Sequence, residues 1–121
     1  MTASKYRNKK TVVDGVTFAS KAESDRYSQL KLLQRAGQIS GLVCQPKFIC
    51  VVGGVKVCTY IADFSYFEKD KQVTEDVKGY ATDVFRLKRR LVEALNPGMT
   101  ITLIGKGVLR QAAVNRIRSA A

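Results

Sequence analysis

Histidine and tryptophan are absent from the 121 residues, cysteine occurs three times and proline twice, and 10 Asp plus Glu face 21 Lys plus Arg. Each shortage excludes some chemistry. Without His there is no Ser-His-Asp triad, no imidazole general base, and no zinc site that pairs Cys with His. Cys44, Cys50 and Cys58 form no close C-x-x-C pair, so a zinc knuckle is not expected, and they read as small apolar residues of core strands. The longest apolar runs fall far short of a membrane span. The first ten residues, MTASKYRNKK, are basic but lead into no apolar stretch, so the sequence reads as cytoplasmic, without a secretory signal, disulfide framework or membrane partner.

What remains is an ordinary globular composition, 45% apolar and 26% charged, with a formal charge of +11. That length suits one compact domain. The reading is a flexible basic arm over 1–10 and a single domain over 11–121. So large a positive excess points to a polyanion, with nucleic acid the leading partner.

Local patterns give the elements. Asp14-Gly15 within TVVDGVTF is a type I′ hairpin signal between two short β-prone pieces. Ser20 is an N-cap for a helix whose apolar face is drawn by Ala22, Tyr27, Leu30, Leu32 and Leu33, with Gly37 as its stop. From Ile39 to Val77 the spacing turns to that of strands, read as an antiparallel meander in which VKVCTYIADFSYF is continuous. Thr82-Asp83 opens a second helix, Asn96-Pro97-Gly98 closes it, MTITLIG is a last strand and 108–118 a last helix. The fold class is α/β (α+β), a central sheet flanked by helices.

The few acids can be sorted one by one. Asp14, Glu68 and Asp70 belong to turns, Asp83 to a helix start, and Asp25 and Glu93 to helix surfaces. Glu23, Asp63, Glu75 and Asp76 remain. Asp63 breaks an aromatic strand, where it either faces solvent or needs a buried partner. Strand alternation puts Asp76 and Lys78 on one face and Glu75 and Val77 on the other. A hairpin would bring that first face against Asp63. Two carboxylates and an ammonium would then converge, a set of hard oxygen donors suited to Mg²⁺, with Mn²⁺ as substitute, and to phosphodiester hydrolysis. The plain alternative is a same-face ion pair on an exposed strand. Glu23 likewise has two readings: the last residue of an S-x-x-E capping box, or a third carboxylate facing the metal.

These residues resemble the PD-(D/E)xK nuclease superfamily: Glu23 in FASKAESDRY, Ala62-Asp63, then Asp76-x-Lys78 and a helix. The ordered segments SKYRNKK, DGVTFASKAESDRY, QPKF, YIADFSY and EDVKG look like a family of small phage and prophage endonucleases, similar in layout to phage endonuclease I and Holliday-junction resolvases. The resemblance implies a restriction-endonuclease-like αβββαβ core with a mixed sheet. It implies a metal site of Glu23, Asp63 and Asp76, catalytic Lys78 beside the attacking water, and Gln45 nearby. It departs from the pattern at Ala62, where the name-giving Pro would stand, and at Asp76, one methylene shorter than the commoner Glu.

The DNA track falls on Lys9, Lys10, Arg86, Lys88, Arg89, Arg90, Lys106 and Arg110. Lys88 has a second reading, reaching the metal cluster. No recognition helix or zinc module is evident, so shape rather than base sequence is the expected target: branched duplex DNA, cut by a homodimer. The competing expectation is a non-catalytic DNA-binding module on the same fold.

Overall fold

The computed structural model describes residues 10–78 and 81–105. A short hairpin, β1 (Thr11–Val13) and β2 (Val16–Phe18), precedes helix α1 (Lys21–Arg35). Strands β3 (Ser40–Cys44), β4 (Lys47–Val52), β5 (Val55–Ile61), β6 (Phe64–Glu68) and β7 (Lys71–Val77) follow, then α2 (Asp83–Leu95) and β8 (Ile101–Ile104). The main sheet has the order β3-β6-β7-β8, antiparallel except for the parallel β7–β8 pair. The architecture is therefore mixed α+β around a mixed sheet.

Local chemistry sets the boundaries. Asp14 and Gly15 both take positive φ, 53° and 77°, as a two-residue reversal between right-twisted strands requires. Ser20 caps α1 by accepting from the Glu23 amide at 3.2 Å, and Thr82 caps α2 by accepting from the Phe85 amide at 3.1 Å.

The meander expectation is corrected in one respect. Between Cys44 and Lys47 the chain bends instead of reversing, with Gln45 at φ 55°, and the facing arm bends at Ala62-Asp63. Cys44 faces Phe64 before the bend and Lys47 faces Ile61 after it, so the pairing stays in step. Hydrogen bonds from Gln45 N to Asp63 O (2.8 Å) and from Ala62 N to Pro46 O (3.0 Å) span the kink. β3-β4 and β5-β6 are thus two arms of one bent ribbon, whose distal half leaves the sheet as the β4–β5 hairpin. The strand expected to be continuous is broken at Asp63.

Two apolar cores result. On one face of the sheet Phe18, Tyr27, Leu30, Ile39, Phe64 and Tyr66 pack together; on the other, Cys50, Tyr60, Ala62, Phe85, Val92 and Ile101 join α2 to the hairpin. Leu32, expected in the helix core, is 62% exposed, whereas Arg26 is 4% exposed. The helix turns an arginine inward because a carboxylate waits for it on β7. All three cysteines are free thiols on strands, with Cys50 buried opposite Cys58. The expected helix over 108–118 and all of the expected arm over 1–10 except Lys10, which is exposed, lie outside the described residues.

Candidate functional site

β7 divides its acids by parity. Glu75 points to the α1 face, where Arg26 Nε donates to its Oε1 at 2.8 Å and Arg26 Nη2 to its Oε2 at 2.6 Å, and where the Tyr66 hydroxyl also donates to Oε2. Asp76 points to the α2 face, where it is 1% exposed. There its Oδ2 accepts from the Tyr60 hydroxyl, and Lys78 Nζ lies 3.8 Å from its Oδ1. The ammonium of Lys78 also sits 4.7 Å from the centroid of the Phe85 ring. An ion pair on one side and an aromatic face on the other restrain it.

Asp63 reaches this corner from the ribbon kink. Its amide donates to Glu75 O at 3.1 Å, and its side-chain Oδ2 accepts from the Val77 amide at 2.7 Å. The Asp76 carboxyl stands in contact range of Asp63, close enough to act on its charge state. Burial, together with that contact and the adjacent negative charge, pushes the Asp63 carboxyl up to about 8, while the hydrogen bond from Val77 opposes the shift. Burial and the neighbouring carboxylate thus favour the protonated form of Asp63.

Glu23 stands at the first turn of α1 and has both expected aspects. It belongs to a capping arrangement, its amide bound to the Ser20 hydroxyl and its carboxyl hydrogen-bonded to the backbone of Ala19. It also lies within electrostatic reach of Asp76 and Lys78: partial burial raises its pKa, Lys78 lowers it and Asp76 raises it again. Among the described residues no three acid, Cys or His side chains are already gathered as a metal-binding group. The donor chemistry nonetheless fits a hard divalent ion, because a buried pair of aspartates carries repulsion that such an ion removes.

Gln45 faces elsewhere: its Nε2 donates to Thr17 O at 3.4 Å, which ties the ribbon kink to the first hairpin. The basic residues separate by environment. Lys10, Arg86 and Arg90 are exposed, with Arg86 paired to Asp83 at 3.1 Å. Arg89 turns inward, its Nη2 donating to Ile101 O at 2.8 Å and its Nε lying 3.4 Å from Glu93 Oε2. Glu93 in turn accepts from the Ile101 amide at 2.9 Å, so it fastens β8 to α2 rather than decorating a surface. Lys88 Nζ lies 3.4 Å from Thr59 O, on the hairpin and away from the acids. Lys9, Lys106 and Arg110 lie outside the described residues.

Sequence reading missed Arg26, Tyr60 and Tyr66. Arg26 carried a usable signal, because it falls on the buried stripe one turn before Leu30, where an unpaired guanidinium would be costly. The tyrosines carried none, since a core aromatic and one donating to a carboxylate look alike in sequence.

The chain matches the family described as "Protein of unknown function (DUF1064)" over residues 3–110, and it belongs to that family. No curated protein matches it.

Proposed function

We propose that this chain is a divalent-metal-dependent endodeoxyribonuclease that hydrolyses phosphodiester bonds in branched DNA. One observation carries the reading: Asp63, Asp76 and Lys78 converge on one end of the sheet within a chain of formal charge +11. Glu23 lies near enough to act on the same charge balance. Asp63 and Asp76, with Glu23 as third carboxylate, would hold Mg²⁺ or Mn²⁺. The ion supplies charge neutralisation and Lewis acidity toward the phosphate. Lys78, held between Asp76 and the Phe85 ring, orients the attacking water. The new bond joins water oxygen to phosphorus and the bond to the leaving sugar oxygen breaks. Exposed Lys10, Arg86 and Arg90 add phosphate contacts that give affinity without base readout.

The further parts of the proposal are a homodimer, which suits cutting two strands of a junction, and action in the cytoplasm of a bacterium hosting a phage or prophage. No helix among the described residues is long and apolar enough to cross a membrane.

The test incubates the purified chain with a four-way junction, a flap, linear duplex and single strands, each in Mg²⁺ or EDTA. Junction cleavage in Mg²⁺ alone, lost in Asp63→Ala, is expected. Cleavage of nothing, or cleavage unchanged in Asp63→Ala, refutes the assignment. The formal charge of +11 is equally served by a second reading, a non-catalytic DNA-binding module. That module would bind DNA with steep salt dependence and be indifferent to EDTA.

A further inference from the structure

Tyr60 comes from the distal half of the bent ribbon, on the arm that supplies Asp63, and its side chain crosses to the other carboxylate of the pair. Its ring is fixed between Phe48 and Phe85, with centroids 6.2 Å and 6.1 Å away, and the residue is 4% exposed. Its hydroxyl donates to Asp76 Oδ2. The other oxygen of that carboxyl, Oδ1, is the one nearest Lys78. Asp63 is arranged in the same way, with Oδ2 committed to the Val77 amide. In each aspartate Oδ2 is thus held by a hydrogen-bond donor of the protein, while Asp76 Oδ1 lies 3.8 Å from the Lys78 ammonium.

We propose that Tyr60 is a positioning residue that restricts Asp76 to a single ligating oxygen and thereby sets the site's preference for small divalent cations over Ca²⁺. The physical ground is the coordination habit of the two ion classes. Mg²⁺ demands a tight octahedron and is satisfied by one or two carboxylate oxygens with several waters. Ca²⁺ takes six to eight oxygens and readily uses both oxygens of one carboxylate. A phenol rigidly packed against Oδ2 opposes the second mode and leaves the first intact. Outer hydrogen bonds of this kind fix the orientation of metal ligands and tune the site.

This inference rests on the divalent site of the proposed nuclease, and the experiment separates the two. Mn²⁺ and Ca²⁺ dissociation constants are measured by calorimetry, without DNA, for the wild type, Tyr60→Phe and Tyr66→Phe. Tyr66→Phe removes the same hydroxyl from a carboxylate on the opposite face, that of Glu75. In Tyr60→Phe the preference for Mn²⁺ over Ca²⁺ is expected to shrink by about ten-fold or more, the range for loss of such outer partners. Tyr66→Phe is expected to keep the wild-type preference. Mn²⁺ binding by the wild type with an unchanged preference in Tyr60→Phe overturns the role of Tyr60 alone. Absence of Mn²⁺ binding by the wild type overturns the metal site and the inference together. Should Tyr60→Phe fail to fold, Mg²⁺ titrations of the wild type, one by calorimetry and one by NMR, decide. The Tyr60 hydroxyl proton must shift with the calorimetric half-saturation while that of Tyr66 stays in place, and an unmoved Tyr60 signal refutes the proposal.

Discussion

Replacing Arg26 by Met should be among the most destabilising single changes available in this chain. The guanidinium makes two parallel bonds to Glu75, of 2.8 Å and 2.6 Å, and a third to Gln29 Oε1 at 3.0 Å. Its partner is fully buried, at 0% exposure. Methionine fills similar volume but removes the positive charge beside a buried carboxylate, and removing one member of a buried pair costs about 3–5 kcal/mol. Against a total stability of roughly 5–15 kcal/mol, the midpoint of thermal unfolding should fall by roughly 10–20 °C. The double variant Arg26→Met, Glu75→Met should recover part of this loss, because an apolar pair has no charge left to solvate. Urea denaturation of the four proteins gives the coupling from midpoints at constant slope. A single-variant loss below about 1 kcal/mol, or a double variant no better than the sum of the singles, would show that water reaches the pair. The point matters beyond stability, since this clamp fastens the turn after Glu23 to the residue beside Asp76.

Two further outcomes are expected. In EDTA, Asp63 keeps its proton to about pH 8 in the folded chain but releases it near its ordinary value when unfolded. The folded form therefore holds the extra proton between these limits, and wild-type stability declines as pH rises through that window and is not regained above it. Asp63→Asn should lack this slope, and urea midpoints of the two proteins running parallel from pH 5 to 9 would refute it. Glu23→Gln keeps the Ser20 hydroxyl on the residue-23 amide, so its stability should stay within ~0.5 kcal/mol of wild type. Calorimetric Mn²⁺ affinity should nonetheless fall, and an unchanged affinity would leave Glu23 as a cap alone.

Much of this was legible in the sequence where local rules decide. Asp14-Gly15, the Ser20 and Thr82 caps and the Asn96-Pro97-Gly98 stop depend on a few neighbouring residues, and each lies where the pattern put it. Strand parity likewise separated Glu75 from Asp76. Long-range partners decided the rest. Nothing in Gln45-Pro46 says whether a chain bends or reverses, because the facing Ala62-Asp63 settles it by continuing the same ladder. Leu32 faces solvent while Arg26 is buried, because Glu75, far along the chain, can neutralise the arginine. Arg89 and Glu93 read as surface charge on α2, yet both bind β8, a contact that exists only once the parallel pair has formed. The hydroxyl of Tyr60 finds Asp76 for the same reason.

The kink makes the β4–β5 hairpin a lever with Asp63 at its fulcrum. From the bend to the Gly53-Gly54 tip the arm runs roughly 25–30 Å, at the usual rise per strand residue. A tilt of a few degrees would move the tip by ångströms and the aspartate by tenths, while the ring of Tyr60 stays held against Phe85 of α2. Load applied at the far end is thus geared down into small adjustments of carboxylate spacing, the scale on which coordination chemistry is decided.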